Sequence, residues 1–339
     1  MSRKSEGEPL PQQGPQMSEN DPLLTRVPLN LAAEFYPRGF PVRLTTNSPR
    51  VMAAAQEGWA GLQKRFDVTP LEVRCLVSSG ERSFPPPPVV RAQRDLLIGV
   101  CDAANFWTCN LTSGIAAAWV SENTTADSGF LRYHVVEAMA YSLMESLHVI
   151  SLHAACVSLG GHGMLLAGES GAGKSSLAYG CARRGWTYIS DDASSLLRNG
   201  SERTVLGDPS LFRFRATAGA LFPEFRGWRE SRRPQGKPTI EVRTESLPAV
   251  RTACESRVDS IVFLNRRDGK KGEAEMLRCP RQKALGYLAD SPWPKDLPGE
   301  PQRLAAVKRL LGANLYEMRY LDLDSAVDAL ERIVLGEHK

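Results

Sequence analysis

From Leu24 onward the apolar positions come in short runs broken by Gly, Pro and charged clusters, and the period within each run separates strands from helices. Phe40 to Thr45, Leu71 to Val77 and Leu96 to Cys101 read as strands, with Pro85-Pro86-Pro87-Pro88 a stiff extended connector between the last two. Phe106 to Leu111 and Ile115 to Val120 predict a hairpin pair. Pro49 to Phe66 places Val51, Ala54, Ala55, Trp59, Leu62 and Phe66 on one side of an amphipathic helix. Gly129 to Val149 is the longest helical pattern of this half, with Asp127 or Ser128 as its cap.

The second half alternates in the same way. Ala154 to Leu159 and Gly163 to Ala167 are apolar strands joined by a turn at Gly160-Gly161-His162-Gly163, and Ser176 to Arg184 is a helix stopped by Gly185. Trp186 to Ser190, Ser194 to Arg198 and Thr204 to Gly207 follow as strands. Ser260 to Leu264 reads as a buried strand beside Gly163 to Ala167 in one sheet. Arg281 to Leu288, Gln302 to Leu311 and Ser325 to Leu335 close the chain as helices, with Tyr316 to Leu321 a last strand. Repeated strand and helix alternation argues for α/β architecture, a sheet packed by helices. We expect a disordered, Pro/Gln/Glu-rich tail over 1–23, a smaller N-terminal α/β domain over 24–149, and a second domain over 150–339.

Composition narrows the class. With 42% apolar and 24% charged residues, the chain reads as an ordinary soluble globular protein, and a net charge of +4 is too small to argue for nucleic acid or membrane. The seven cysteines form no C-x-x-C pair and several sit in apolar runs, so they read as reduced thiols in a cytoplasmic protein. Ser146 to Gly168 lacks acids, Lys and Arg, but its histidines and Gly-Gly turn suit two buried strands better than a membrane helix.

Chemistry enters at Gly168-Glu169-Ser170-Gly171-Ala172-Gly173-Lys174-Ser175, which fits the phosphate-loop pattern G-x-x-x-x-G-K-[ST] without a mismatch. The glycines let successive backbone N–H groups curl round phosphate oxygens, and the helix that follows turns its positive end toward them. The cofactors expected are ATP and Mg²⁺, bound by Gly168, Glu169, Ser170, Gly171, Ala172, Gly173, Lys174, Ser175 and Ser176, with Lys174 reaching the β- and γ-phosphates and Ser175 holding the metal. Asp191 and Asp192 end the next strand, where such proteins place the carboxylate that contacts Mg²⁺ or orients the nucleophile; Asp191 is assigned to the metal beside Ser175. Two adjacent acids allow one metal-linked carboxylate and one that accepts a hydroxyl proton. The residue types alone also allow an Asp that merely caps a turn.

The order of His153, the glycine loop, Arg183-Arg184-Gly185 as R-x-G and then Asp191-Asp192 resembles the catalytic domain of the HPr kinase/phosphorylase family. The resemblance covers the stretch from Leu152 to Asp192. It implies a P-loop kinase domain of the HPr-kinase/PEP-carboxykinase-like type, with His153 near the transferring phosphate, Lys174 and Ser175 on nucleotide and Mg²⁺, and one of Asp191 and Asp192 the base that activates a serine hydroxyl. His153 read alone is a core histidine; the family spacing is what makes it a site residue. The family's second signature, I-E-V-R-G-x-G, is matched here only by Ile240-Glu241-Val242-Arg243 before Thr244-Glu245-Ser246 departs from it, which implies a kinase without the phosphorylase reaction.

A basic stretch lies between Leu211 and Arg243, with Arg213, Arg215, Arg226, Arg229, Arg232, Arg233 and Lys237. It reads either as a lid supplying cations to the γ-phosphate, Arg233 and Lys237 foremost, or as a solvated surface. The expected function is transfer of the ATP γ-phosphate to a serine hydroxyl of a protein or peptide. A small-molecule kinase and a non-catalytic ATP-binding regulator are the alternatives, and a homo-oligomer is compatible with all three.

Overall fold

The computed structural model describes residues 24, 26–79, 83–199, 202–215, 217–228, 239–267, 272–289, 297 and 299–337. The tail at 1–23 and the lid residues Arg229, Arg232, Arg233 and Lys237 lie outside them. The chain is mixed α/β throughout, as the patterning predicted.

Seven strands form the first sheet: β1 (Leu31–Phe35), β2 (Val42–Thr46), β3 (Leu71–Ser78), β4 (Val89–Gln93), β5 (Leu96–Val100), β6 (Phe106–Asn110) and β7 (Ile115–Ser121). Their order is β1-β2-β3-β7-β6-β5-β4, with β2, β3 and β7 parallel and the rest antiparallel. The predicted hairpin is β6 with β7. The Pro85–Pro88 connector does not link neighbours: it leads into β4, an edge strand exposed along its whole length that sequence patterning missed. Helix α1 (Pro49–Trp59) stops short of the predicted Phe66, because Gly61 takes the left-handed region at φ +79° and turns the chain. Leu62 and Phe66 still reach the core from the loop, Phe66 by stacking on Phe40 at 4.2 Å. The long second helix runs as α2 (Ser128–Phe130), a π-helical segment (Leu131–Val136) and α3 (Glu137–Leu147), capped by the Asp127 carboxylate on the Phe130 N–H. It ends before Val149, which instead opens a strand.

That strand, β8 (Val149–Leu152), begins the second sheet, followed by β9 (Ala154–Leu159), β10 (His162–Ala167), β11 (Thr187–Ser190), β12 (Ser194–Leu197) and β13 (Thr204–Leu206). Three strands rather than two therefore occupy the apolar run before the glycine loop. After a separate ribbon of β14 (Leu211–Arg215) and β15 (Thr239–Arg243), the sheet takes up β16 (Arg251–Thr252), β17 (Glu255–Arg266), β18 (Glu275–Arg278) and β19 (Asn314–Tyr320). β10 and β17 are parallel neighbours as expected, and β17 is parallel to β19. β17 runs well beyond the predicted Ser260–Leu264, because its N-terminal end also pairs with β13.

Residues of β10 alternate between two cores. Met164 and Leu166 face a cluster with α4 (Lys174–Arg183), the short α5 (Ala218–Leu221) and α8 (Leu323–Leu335), whereas Leu165 and Ala167 face one with α6 (Arg281–Ala289) and α7 (Glu300–Leu310). A strand buried on both faces explains why the sequence there is continuously apolar. The patterning places Gly163 both at the end of the turn and at the start of the strand, and the strand reading holds. Gly163 lies inside β10 where β17 bulges at Asp259, and a Cβ there would overlap the Arg257 carbonyl. Cys254 is exposed, while Cys75, Cys109, Cys156, Cys181 and Cys279 are buried and Cys101 is half-buried. No described helix is long and apolar enough to cross a membrane.

Candidate functional site

The glycine loop sits on the carboxyl end of β10 and feeds directly into α4, whose first residue is Lys174. Gly171 and Gly173 adopt φ of +99° and +95°, values that L side chains rarely take. Gly173 has a second reason to lack a side chain, since a Cβ would strike the Tyr320 hydroxyl, which itself donates to the Ala172 carbonyl. The loop is thus shaped for exposed N–H groups at a helix start, the arrangement that receives phosphate.

Lys174 is buried at 5% exposure. Its Nζ donates to the Gly168 carbonyl at 2.9 Å and the Glu169 carbonyl at 3.3 Å, and lies 2.9 Å from His153 Nε2. An ammonium has only donors, so Nε2 accepts and the imidazole hydrogen is on Nδ1. Nδ1 in turn faces Asp192 Oδ1 at 3.2 Å, and Lys174 Nζ is 3.7 Å from the same oxygen. Burial pulls the Lys174 pKa down, with Asp192 opposing it. His153 is no core histidine: it occupies the bend between β8 and β9, with 57% of its side chain exposed; the Asp192 side chain is 51% exposed.

The two aspartates have separate environments. Asp191 is 3% exposed, and its Oδ2 accepts the Arg213 backbone N–H at 2.6 Å. Burial pushes its pKa up to about 6 against the pull of Arg213. Asp192, by contrast, lines an open cavity of about 420 Å³ together with His153, Lys174, Ser175 and Ser176. Among the described residues no group of His, Cys, Asp and Glu has the makings of an all-protein metal cage. An octahedral Mg²⁺ held by one hydroxyl, a carboxylate and phosphate oxygens needs none, and Ser175 in the first turn of α4 and Asp192 line the cavity with donors of that kind, whereas Asp191 lies buried behind it.

Three arginines share this cavity: Arg213, Arg215 and Arg266. The first two alternate with Phe212 and Phe214 along β14, and the phenyl rings pack inward against Tyr179 of α4 and Tyr188 of β11. That packing points the arginines at the loop, where Arg215 donates to Ser170 Oγ at 2.8 Å. Sequence patterning had only a basic stretch there and missed Arg266 altogether. Its signal was position, two residues past an apolar strand end on the side where parallel sheets bind ligands. Ile240 and Val242 of β15 are buried in the same aromatic core and Glu241 lies 3.6 Å from Arg213, so that four-residue match serves as the ribbon's second strand.

Residues 145–213 match the family model described as HPr Serine kinase C-terminal domain. This stretch is HPr-kinase-like. The match begins in α3, contains His153, the glycine loop and both aspartates, and ends on Arg213. Among solved structures, the HPr(Ser) kinase/phosphatase from Coxiella burnetii is similar at 11% identity and a TM-score of 0.31, over 55% of this chain and 93% of that one. No curated protein matches the chain.

Proposed function

We propose that the HPr-kinase-like segment is the catalytic centre of an ATP- and Mg²⁺-dependent kinase that transfers the γ-phosphate to a serine hydroxyl of a protein or peptide, without the reverse phosphorolysis. The observation that carries this is the convergence of Lys174 Nζ and His153 Nδ1 on one oxygen of Asp192 at the edge of a phosphate-type glycine loop. The open cavity and the exposure of His153 and Asp192 favour an acceptor presented from a large molecule over one that must be enclosed.

In this reading the loop N–H groups and Lys174 hold the phosphates, with Arg215 and Arg266 adding charge where it develops during transfer. Asp192 accepts the proton of the serine hydroxyl, and His153 orients that carboxylate while linking it to Lys174. Ser175 and Asp191 would hold Mg²⁺, which supplies neutralisation of phosphate charge when bound. Residues 24–149 are proposed as the domain that positions the acceptor, 150–339 as the kinase domain, and the cytoplasm as the location.

The test is incubation with γ-labelled ATP and Mg²⁺, with and without lysate from the source organism, beside Lys174→Ala. A labelled protein band that depends on Lys174 is the expected result. A labelled metabolite would replace the acceptor class, and tight ATP binding with no labelled species would replace the kinase by a nucleotide-binding regulator.

A further inference from the structure

A second cavity, of about 640 Å³, opens on the opposite side of the glycine loop. It shares Ser170, Gly171 and Arg266 with the first, but its other walls belong to β17, β19 and α6: Phe263, Leu264, Asn265, Tyr287 and Glu317. Its volume falls in the range of about 300–1,000 Å³ usual for small-ligand clefts. The composition is unlike that of the first cavity. Phe263 is buried and stacks on Tyr287 at 4.9 Å between centroids, whereas Tyr287 is 50% exposed. Beside the rings, Glu317 accepts from Asn265 Nδ2 at 3.2 Å and from Lys283. With its Nδ2 engaged, Asn265 has its carbonyl oxygen left to accept an N–H from a ligand.

A nucleotide has a reacting end and a recognised end, joined through phosphates that the loop must hold between them. The reacting end is fixed by Lys174, His153 and Asp192 on the β9–β11 side of the loop. The parallel strands β17 and β19 lie on the other side, and their carboxyl ends are where open α/β sheets take ligands. We propose that the cavity of Phe263, Asn265, Tyr287 and Glu317 is the nucleobase subsite, with the base stacked on Tyr287, one of its N–H groups donating to the Asn265 carbonyl, and Arg266 bridging to the phosphates. This rests on the nucleotide-dependent reading above and adds where the nucleoside is recognised.

The experiment measures binding of Mg·ATP and of Mg·tripolyphosphate, which has the phosphates without the nucleoside, by calorimetry on the full chain. The variants are Tyr287→Ala, Tyr287→Phe, Asn265→Ala and Lys174→Ala. Tyr287→Ala weakens ATP by about five- to hundred-fold, the scale of one base–aromatic stack, and leaves tripolyphosphate unchanged. Tyr287→Phe retains ATP affinity, Asn265→Ala loses part of it, and Lys174→Ala weakens both ligands. Equal losses for both ligands in Tyr287→Ala would mean damage to the fold and would overturn the assignment, as would unchanged ATP affinity in Tyr287→Ala and Asn265→Ala while Lys174→Ala weakens it. Wild-type protein that binds neither ligand would overturn the nucleotide reading itself.

Discussion

Lys174 can meet a phosphate only by giving up contacts it already has. Its ammonium spends donors on two loop carbonyls and the His153 ring, so an entering phosphate oxygen replaces hydrogen bonds rather than filling a vacancy. The loss of Asp192 should therefore separate binding from chemistry. Asp192→Asn is expected to keep Mg·ATP affinity within a few-fold and lose transfer by roughly 10²–10⁴, the usual worth of a general base; single-turnover assays at saturating ATP check this, and unchanged transfer would remove Asp192 from the role. A second residue-scale effect concerns His148. Burial pulls its pKa down, Arg198 adds to this, and Nε2 has no hydrogen-bond partner among the described residues. The folded state thus binds the proton less readily than the unfolded chain. The stability it contributes is full above pH 6.5 and is lost as pH falls below that value. His148→Leu should flatten the decline in urea midpoint between roughly pH 7 and roughly pH 5 relative to wild type; an unaltered slope would place the acid sensitivity elsewhere.

Elements differ in how much of them the sequence exposes. The loop, α4 and the Asp191-Asp192 strand end were legible because each depends on a local pattern: positive-φ glycines, a helix period, a strand that stops at acids. β4 and β18 were not: β4 is exposed along its whole length, so no apolar alternation marks it beside its neighbour β5, and β18 owes its strand form to β19, far along the chain. The same holds for Arg266 and Tyr287. Each is an ordinary polar or aromatic residue in sequence, and only the parallel pairing of β10 with β17 brings their elements to the loop. Gly163, read as the end of the turn and the start of the strand, is a strand residue whose lack of a side chain has a reason the sequence does not show. The close approach of β17 demands it, so Gly163→Ala should destabilise by about 3 kcal/mol, near the upper end for overpacking against backbone. Chemical denaturation measures it, and a change under about 0.5 kcal/mol would show that the β17 bulge relaxes freely.

The molecule as a whole is tied together by a buried charge pair. Glu145 of α3, packed on the first sheet, meets Arg303 of α7, packed on the second, at 3.2 Å with both side chains under 10% exposed. Glu145 also accepts the Ser151 N–H, so its two oxygens are both used. Arg303→Leu should cost about 3–5 kcal/mol, because it strands a carboxylate in the interior. Changing Glu145 to Leu as well should recover part of that loss, and a denaturation series on the two single variants and the double reads the coupling. Recovery stays incomplete because Ser151 loses its acceptor.

The distribution of thiols has a practical consequence of its own. Six of the seven cysteines are buried or half-buried, and burial raises the pKa of each of those six. Cys254 alone is open to solvent, in the link into β17, with its carbonyl accepting from Gly207 and Arg65. Maleimide at neutral pH should therefore modify the folded protein once, with peptide mapping placing the adduct at Cys254. An untouched wild-type chain thus carries a built-in address for a single fluorophore, set where the two sheets meet and clear of both cavities.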